Sequence, residues 1–598
     1  LRAYLLMGPE IGRLDEYWDK FLIEELIELF PYARDDEDVR FLVERQIEFF
    51  VQRLGEEGMP AFESNEFLIT YVQNIMYETP SIYGIYDRIR QEMPGEYPPY
   101  SQFILSSHIE DEEYRDILTS EEEVSGFFTH QAWKEYVHNA IQEKSQGPIT
   151  DWLYGDVSVP QDLGEPDQLA LELENIYFEE YAESWWRFIR SIRCRTLESI
   201  ASASEVMEKL GDPSKSPFIT LLKNVTEDTK FESAGPLEEV KTQEFSAFHS
   251  LVPGEKEGEE SASGLATILN KYSEIGAELK SLLDDPGPGA KDTAATILQQ
   301  KEGTLPDTVK TIRNTLSGFD LSKREPLQSL LELPVINAWI ALLNETQTTL
   351  NARWRTEIYD EFRRKLENYY PFNRGSMNDA AIMDVESFFN PQSGVFWKFF
   401  TEELEAFVDR DTLNASQWEG YGIEISSRTK EAFLQAKDIT EALFPQGGLE
   451  VRFRLRPELP KYFSKPTPAI ERIILNINGK EFPYRMGGIR WQEFSWPSYE
   501  GIPFASLQVI IREIQVDPLR YDRDWGWFRL LDSAEEIVQE SPLEYKILWV
   551  INFQDTDQKY KQVGILYKLR AISTTNPFNN YKDFFTFRCP ERLNTYVQ

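Results

Sequence analysis

Two cysteines and four histidines in 598 residues leave little material for thiol or metal chemistry. Cys194 and Cys589 stand alone in sequence, so no cysteine-based zinc spacing exists. An oxidising compartment permits a bridge between them; two buried thiols is the other reading. His130 and His138 are eight residues apart rather than at the i, i+4 spacing of a zinc helix, and His108 and His249 are isolated. Neither HExxH nor G-x-S-x-G occurs, so the usual zincin and hydrolase templates fail. Positive charge is also scarce. With 62 Lys and Arg against 102 Asp and Glu, the net charge of −40 argues against a nucleic-acid role, which needs a basic footprint. No uninterrupted apolar run reaches the ~18 residues of a bilayer span. Leu1–Met7 is too short for a signal peptide.

The acidity is unevenly spread. Leu449–Gln598 holds 21 Lys plus Arg and 19 Asp plus Glu, a balance of +2, which leaves −42 for Leu1–Gly448. The first part reads as a solvated helical exterior kept soluble by charge, and the near-neutral last part as a surface spared the charge that opposes docking. Gly287–Thr293, GPGAKDT, has a phosphate-loop look without the full spacing, and Pro288 removes a donor; it reads as a linker. Asp409, Asp411 and Asn414 approach calcium spacing, but the hallmark Gly and closing Glu are misplaced, which favours a solvated loop. Paired acids such as Glu179-Glu180 and the Glu121 to Glu123 run read as helical surface. No residue pattern calls for a cofactor.

Helical periodicity dominates Leu1 to about Ser250, with apolar stripes over Phe41–Leu54 and Phe67–Tyr77 and a long aromatic-rich stretch over Leu169–Leu197. Thr129 is placed to cap a helix running through Ile141. Ser101–Ile109 suggests a short strand, and Pro253–Gly264 a loop. Leu265–Leu283 and Leu330–Leu366 are helical again. Beyond Pro445 the period changes to two. Leu449–Leu455, Ile473–Ile477, Leu507–Ile511, Tyr545–Ile551 and Ile565–Ala571 read as strands, and Asn478-Gly479 is a hairpin turn. The expected architecture is α+β: a large multi-helical region, then a β-sandwich of roughly seven strands. The implied segments are 1–250, 251–368, 369–448 and 449–598.

Tyr369–Leu404 is the most telling stretch. Pro371 ends the preceding helix and pushes Tyr370 toward extended geometry. Asn378 or Asp379 can cap a helix bearing Ile382, Val385, Phe388 and Phe389. Asn390, Pro391 and Gly394 break it, and Phe396, Trp397, Phe399, Phe400 and Leu404 begin another. This order of Tyr370-Pro371-Phe372 corner, acidic helix, Phe pair, Gly394 break and aromatic helix resembles the C-terminal region of the IcmF/TssM family of type VI secretion inner-membrane proteins. So do GFFTHQAWKEYVHNAI and DWLYGD within Ser125–Asp156, Tyr177–Phe188, Ser216–Thr226, the GWFRLLD of Gly526–Asp532 with Trp527 and Arg529, and the FRCPERL of Phe587–Leu593 with Cys589 and Pro590. Tyr369 stands where the family usually has Arg. The likeness covers nearly the whole chain.

That resemblance implies a non-enzymatic periplasmic scaffold without cofactor or metal. It implies a TssJ-like outer-membrane lipoprotein gripped by the β part, a TssL-like inner-membrane protein as neighbour, self-association into a ring lining the needle passage, and membrane helices upstream of this sequence. The type IV IcmF lineage shares the helical motifs. For the partner contact, the aromatic loop residues Trp496, Pro497, Tyr499 and Trp525 are the expected anchors. A rival reading is a periplasmic glycan-binding or glycan-hydrolysing protein, which needs a cleft with converging carboxylates and stacked tryptophans.

Overall fold

The computed structural model describes all residues but 1, 9, 12–20, 24, 28, 31–36, 55–61, 63, 79–81, 95–111, 121, 147–165, 232–235, 253–263, 464, 466, 499–501, 513, 515, 580–584 and 595–598. The strand expected at Ser101–Ile109, the Pro253–Gly264 loop up to its last residue, and DWLYGD lie outside the described residues. Helix accounts for 54% of the chain and strand for 16%, the α+β architecture expected. The chain divides into two compact units: residues 1–195, 212–270 and 312–333, and residues 196–211, 271–311 and 334–598. The stretch 251–368 is shared between them.

The first unit is organised around the helix Pro166–Ser191. Leu169, Leu173, Tyr177, Phe178, Tyr181, Trp185, Phe188 and Ile189 recur at helical spacing and are all buried. Trp133 stacks on Tyr177 at 5.0 Å, and Phe127 meets it edge-on at 5.3 Å. Buried aromatics with polar tips need partners. The Tyr177 hydroxyl donates to Phe127 O at 2.9 Å and Trp185 Nε1 to Phe128 O at 3.0 Å. Thr129 caps as expected, its Oγ1 accepting from Ala132 N at 3.0 Å. Strand β1 (Leu118–Thr119) pairs antiparallel with β2 (Arg193–Cys194) at the end of that helix. A smaller cluster of Leu6, Leu22, Ile47, Val51 and Leu54 forms a second apolar centre.

His249 is the one strongly perturbed histidine among the described residues. Its Nε2 lies 2.9 Å from Thr229 Oγ1, which itself donates to Val225 O, so the ring nitrogen must be the donor. Burial, with Lys230 near, pushes its pKa down to about 4.

A continuous helix covers Leu321–Trp354, its residues from 334 onward in the second unit, and extends to Glu367 through two wider i→i+5 turns, Arg355–Tyr359 and Arg363–Glu367. An ordinary α-helix drifts by about 40° per four-residue step. The wider turns take up that drift, so Trp354, Ile358, Phe362 and Leu366 are all fully buried. This helix is long and apolar enough to cross a bilayer by length and composition, yet Val335, Ala338, Trp339, Leu342 and Leu343 on it are buried within the protein, as in a core helix. GPGAKDT is not a linker. It lies inside the helix Pro286–Gln300, where a Cβ on Gly287 would come 2.6 Å from Thr349 Oγ1. From this helix Lys291 reaches Glu403 at 2.9 Å, and Arg353 pairs with the same carboxylate at 2.5 Å; Glu403 is 7% exposed.

Among its described residues, the last quarter of the chain is a two-sheet sandwich of ten strands where roughly seven were expected: β3 (Val451–Pro457), β4 (Lys461–Tyr462), β5 (Ile470–Ile477), β6 (Lys480–Tyr484), β7 (Gln492–Trp496), β8 (Phe504–Ile511), β9 (Leu519–Asp522), β10 (Glu536–Ser541), β11 (Glu544–Gln554) and β12 (Tyr560–Ala571). One sheet has the order β10-β11-β12-β3-β7, with β4 also on β12; the other is β6-β5-β8-β9. All pairs are antiparallel. Phe482 of the smaller sheet touches Phe494 and Tyr567 of the larger at 6.0 and 6.1 Å, closing the core. Asn478 and Gly479 both have positive φ, 55° and 83°, and join β5 to β6 with Ile477 opposite Lys480, the two-residue hairpin expected. The five unforeseen strands, β4, β6, β7, β9 and β10, have two to six residues each.

Two outcomes follow. Glu403→Ala removes the carboxylate that Lys291 and Arg353 share, leaving them only Asp292 and Glu357, and should destabilise the second unit by ~1–3 kcal/mol in denaturant titration. For His249, the unfolded chain takes up a proton near pH 6.5 and the folded one only near 4. The first unit is therefore most stable above that upper value and loses stability as pH falls toward 4, a slope that His249→Gln should flatten in acid unfolding curves.

Candidate functional site

Tyr370 sits at a cis bond to Pro371 directly after the long helix, and its neighbours show why the corner is built this way. Tyr370 N donates to Asn378 O and Ala380 N to Tyr370 O, both at 2.8 Å, pinning residues 370–380 as a closed loop. That loop is clasped by the helix Gly526–Asp532 of the sandwich. The Tyr370 hydroxyl donates to Asp532 Oδ2 at 2.6 Å, and the Arg529 guanidinium lies 4.0 Å from the Tyr370 ring centre. Arg529 Nε donates to Asp379 Oδ1 at 2.9 Å and Nη2 to Ser376 O at 3.0 Å. Arg374 pairs with Asp532 at 3.2 Å, and Trp525 Nε1 donates to Ala380 O at 2.8 Å. Burial and the Asp379 charge together raise the pKa of nearby Asp524. Asp379 thus binds Arg529 rather than capping the helix Ile382–Phe389, whose N-cap position is Ala381 with no side-chain cap.

Beneath this polar clasp is an aromatic one, and the chain's last residues complete it. Phe587 packs on Phe362, Phe389 and Phe396 at 5.0, 5.2 and 6.0 Å, and Phe585 meets Phe372, Trp525 and Phe528 at 5.9, 5.6 and 5.5 Å. Backbone groups of the same segment are met by helical side chains. Trp354 Nε1 donates to Pro590 O at 2.8 Å, Asn351 Oδ1 accepts from Leu593 N at 2.9 Å, and Thr429 Oγ1 donates to Leu593 O at 2.7 Å. Residues 585–594 are therefore a strap: they leave the sandwich and finish the core of the helices at 345–448.

The expected motif residues fall partly in this seam and partly inside the sandwich. Phe372 stacks on Phe389 at 5.8 Å; Trp527 stacks on Phe453 at 5.1 Å. Cys589 and Cys194 are both buried and not joined in a disulfide, and burial pushes the pKa of the Cys589 thiol up. At Gly394, which opens the helix Val395–Phe399, a Cβ would stand 2.5 Å from Asn390 O and 2.7 Å from Phe388 O, so only glycine fits. The expected partner anchors need correction. Trp496 and Trp525 are both 0% exposed and Pro497 is buried. Trp496 Nε1 donates inward to Asp524 O at 2.6 Å. These residues shape the sandwich end and present no face to a partner. Tyr499 lies outside the described residues.

Asp409 accepts from the backbone of Asp411 and Thr412, at 3.1 and 2.7 Å, in a self-contained turn. Among the described residues no group of three or more His, Cys, Asp and Glu is placed to hold a metal. One cavity of about 230 Å³ is walled by Trp397, Phe400 and Phe433, but its carboxylates, Asp411 and Glu441, are exposed at the rim and not buried over a cleft as a glycosidase acid requires.

Three domain families match in order along the chain. One described as IcmF-related, intracellular multiplication and human macrophage-killing, matches residues 1–230; the type VI secretion protein IcmF helical domain matches 345–448; the type VI secretion protein IcmF C2-like domain matches 453–557. The chain belongs to the IcmF/TssM family. It is 25% identical to the type VI secretion system component TssM1 of Pseudomonas aeruginosa, over 99% of this chain and 55% of that protein, so it spans about half the length of that curated relative. Its fold is like that of a chain in a type VI secretion system membrane core complex (TM-score 0.64, 21% identity, 87% of this chain and 100% of that one). A chain of a type VI membrane complex is similar (0.60, 19%, 86% and 100%).

The strap predicts that the helical domain is not separable from the sequence that follows it. Deleting 449–598 should unfold it, as read by circular dichroism of the truncated chain. Phe587→Ala in the intact chain should cost ~3–5 kcal/mol by chemical denaturation.

Proposed function

We propose that this chain is the extracytoplasmic part of a type VI secretion scaffold, working in the periplasm without catalysis. It links an inner-membrane anchor and a TssL-like neighbour to a TssJ-like outer-membrane lipoprotein, and associates with further copies into a ring around the needle passage. The observation that carries this reading is the ordered match of three IcmF domains along a chain whose likeness to TssM1 runs over 99% of its length. The seam supports it physically. A linker that transmits position or load between membranes needs its terminal module fixed, and this sandwich is held at both its entry and its exit by aromatic packing, ion pairs and backbone hydrogen bonds. The glycan reading finds no support in the tryptophans: Trp185, Trp339, Trp354, Trp496, Trp525, Trp527 and Trp549 are fully buried.

The test is capture of a purified TssJ-like lipoprotein by the intact chain. Retention is expected. A variant with residues 449–584 replaced by a flexible linker, keeping 585–598 as the strap, should lose capture while its helical domain still unfolds cooperatively. No capture by the intact chain overturns the reading; capture by the sandwich-less variant overturns the sandwich as the lipoprotein-binding part.

A further inference from the structure

The sequence of β3 alternates Val451, Phe453 and Leu455, which point into the sandwich, with Arg452, Arg454 and Arg456, which point out. The register then aligns these arginines with the cations of neighbouring strands. Lys546 of β11 stands directly opposite Lys568 of β12, and Lys568 directly opposite Arg456, so three cations form one row across three adjacent strands. In the next row Arg570 faces Arg454. Like charges directly opposite one another destabilise a sheet.

Local carboxylates reduce this repulsion unevenly. In the second row Glu544 pairs with Arg570, and Glu493 with Arg454 at 3.1 Å, so charges balance. In the first row three cations share two carboxylates: Glu458 reaches Arg456 at 3.3 Å and Lys546 at 3.7 Å, and Glu540 reaches Lys568 at 2.5 Å. The row stays open to solvent, with side-chain exposures of 38% for Lys546, 22% for Lys568 and 32% for Arg456. Beside it the half-buried Trp491 lies within cation–π reach of two guanidinium groups, Arg456 at 5.1 Å and Arg570 at 4.6 Å from its ring centre. A tryptophan flanked by arginines is the composition of a binding hot spot.

We propose that this outer face of the six-stranded sheet is an interaction surface for a carboxylate-rich protein surface, and that its occupant is the acidic helical region of a second copy. Charge complementarity selects the occupant. Leu1–Gly448 carries a balance of −42, whereas the row of Lys546, Lys568 and Arg456 on this face holds one cation more than the carboxylates paired with it. The inference rests on the self-association in the proposed function and names its chemistry.

The test is sedimentation velocity of the intact chain over a concentration series at about 0.05 and 0.5 M salt. Self-association is expected, weakened about tenfold by high salt. Lys546→Gln/Lys568→Gln and, separately, Trp491→Ala should each weaken it about tenfold at low salt. The lysine pair should move the melting temperature little, because the repulsion relieved is offset by the lost pairs to Glu540 and Glu458; a large drop would mark the row as a stability element and overturn the proposal. A chain that stays monomeric throughout, or oligomers indifferent to both variants, overturns it too. So does binding of the monomeric wild type, and not of the lysine variant, to anionic phospholipid vesicles, which would put a membrane in place of the second copy. Lipoprotein capture is read independently, so failure here leaves the scaffold reading to its own test.

Discussion

Burial of Phe587 among Phe362, Phe389 and Phe396 is the constraint on which the second unit depends. Each of those three residues belongs to a different piece of the helical domain, and none of the pieces can satisfy its own apolar face. The segment that satisfies them arrives only after the chain has built ten strands. The helical domain therefore cannot finish its core without the strap that follows the sandwich, and the sandwich cannot swing away without drawing Phe587 out of the helices. A single connection at Leu449 would make a hinge; the second connection through 585–594 makes a clamp. The hydrogen bonds from Trp354, Asn351 and Thr429 to strap backbone groups matter for the same reason. A strap without regular structure has no ladder of its own, and every buried N–H and C=O must find a partner elsewhere.

The polar clasp above this cluster does a different job. Asp379 and Arg529 are mostly buried, at 10% and 17% side-chain exposure, and a buried ion pair roughly breaks even against apolar packing once desolvation is counted. Its contribution is orientation. A guanidinium that must stack on Tyr370, reach Asp379 and bond Ser376 O together has one arrangement, so the 370–380 loop and the Gly526–Asp532 helix meet in one register. Aromatic burial supplies the free energy and the clasp supplies the geometry, which suits a joint meant to hold a module at a fixed angle.

Much of this was legible from residue order. The period-two alternation of β3, the Asn478-Gly479 turn, the helix stop before Pro371 and the break at Gly394 are local signals set by local sterics, and they stand where expected. The failures share a cause: the sequence shows a residue's chemistry but not which partner arrives from far along the chain. Asp379 has the right chemistry for an N-cap, yet Arg529 from a distant helix takes it. Trp496 and Trp525 look like exposed anchors because an indole with an N–H suits an interface and a core equally, and only the inward acceptors Asp524 O and Ala380 O decide the case. The i→i+5 turns that keep Trp354 through Leu366 on one face left no signal in the apolar pattern, since a four-residue spacing over so short a stretch also fits an ordinary helix.

The charge asymmetry acquires a structural meaning from these contacts. In a chain with 102 acidic and 62 basic residues, a cation that merely balanced surface charge could stand almost anywhere. Several instead stand at junctions: Lys291 and Arg353 close on the buried Glu403, which ties the Pro286–Gln300 helix to the long core helix, and Arg529 and Arg374 hold the corner to the sandwich. The outer sheet face departs from that pattern, because among the described residues Lys546, Lys568 and Arg456 pair only with Glu458 and Glu540 of the same sandwich and tie no helix to it. They face one another across paired strands and outward to solvent. Cations placed at internal joints lower the free energy of the fold; three placed in register on an open face, with two carboxylates between them, leave one positive charge for a negatively charged partner to meet.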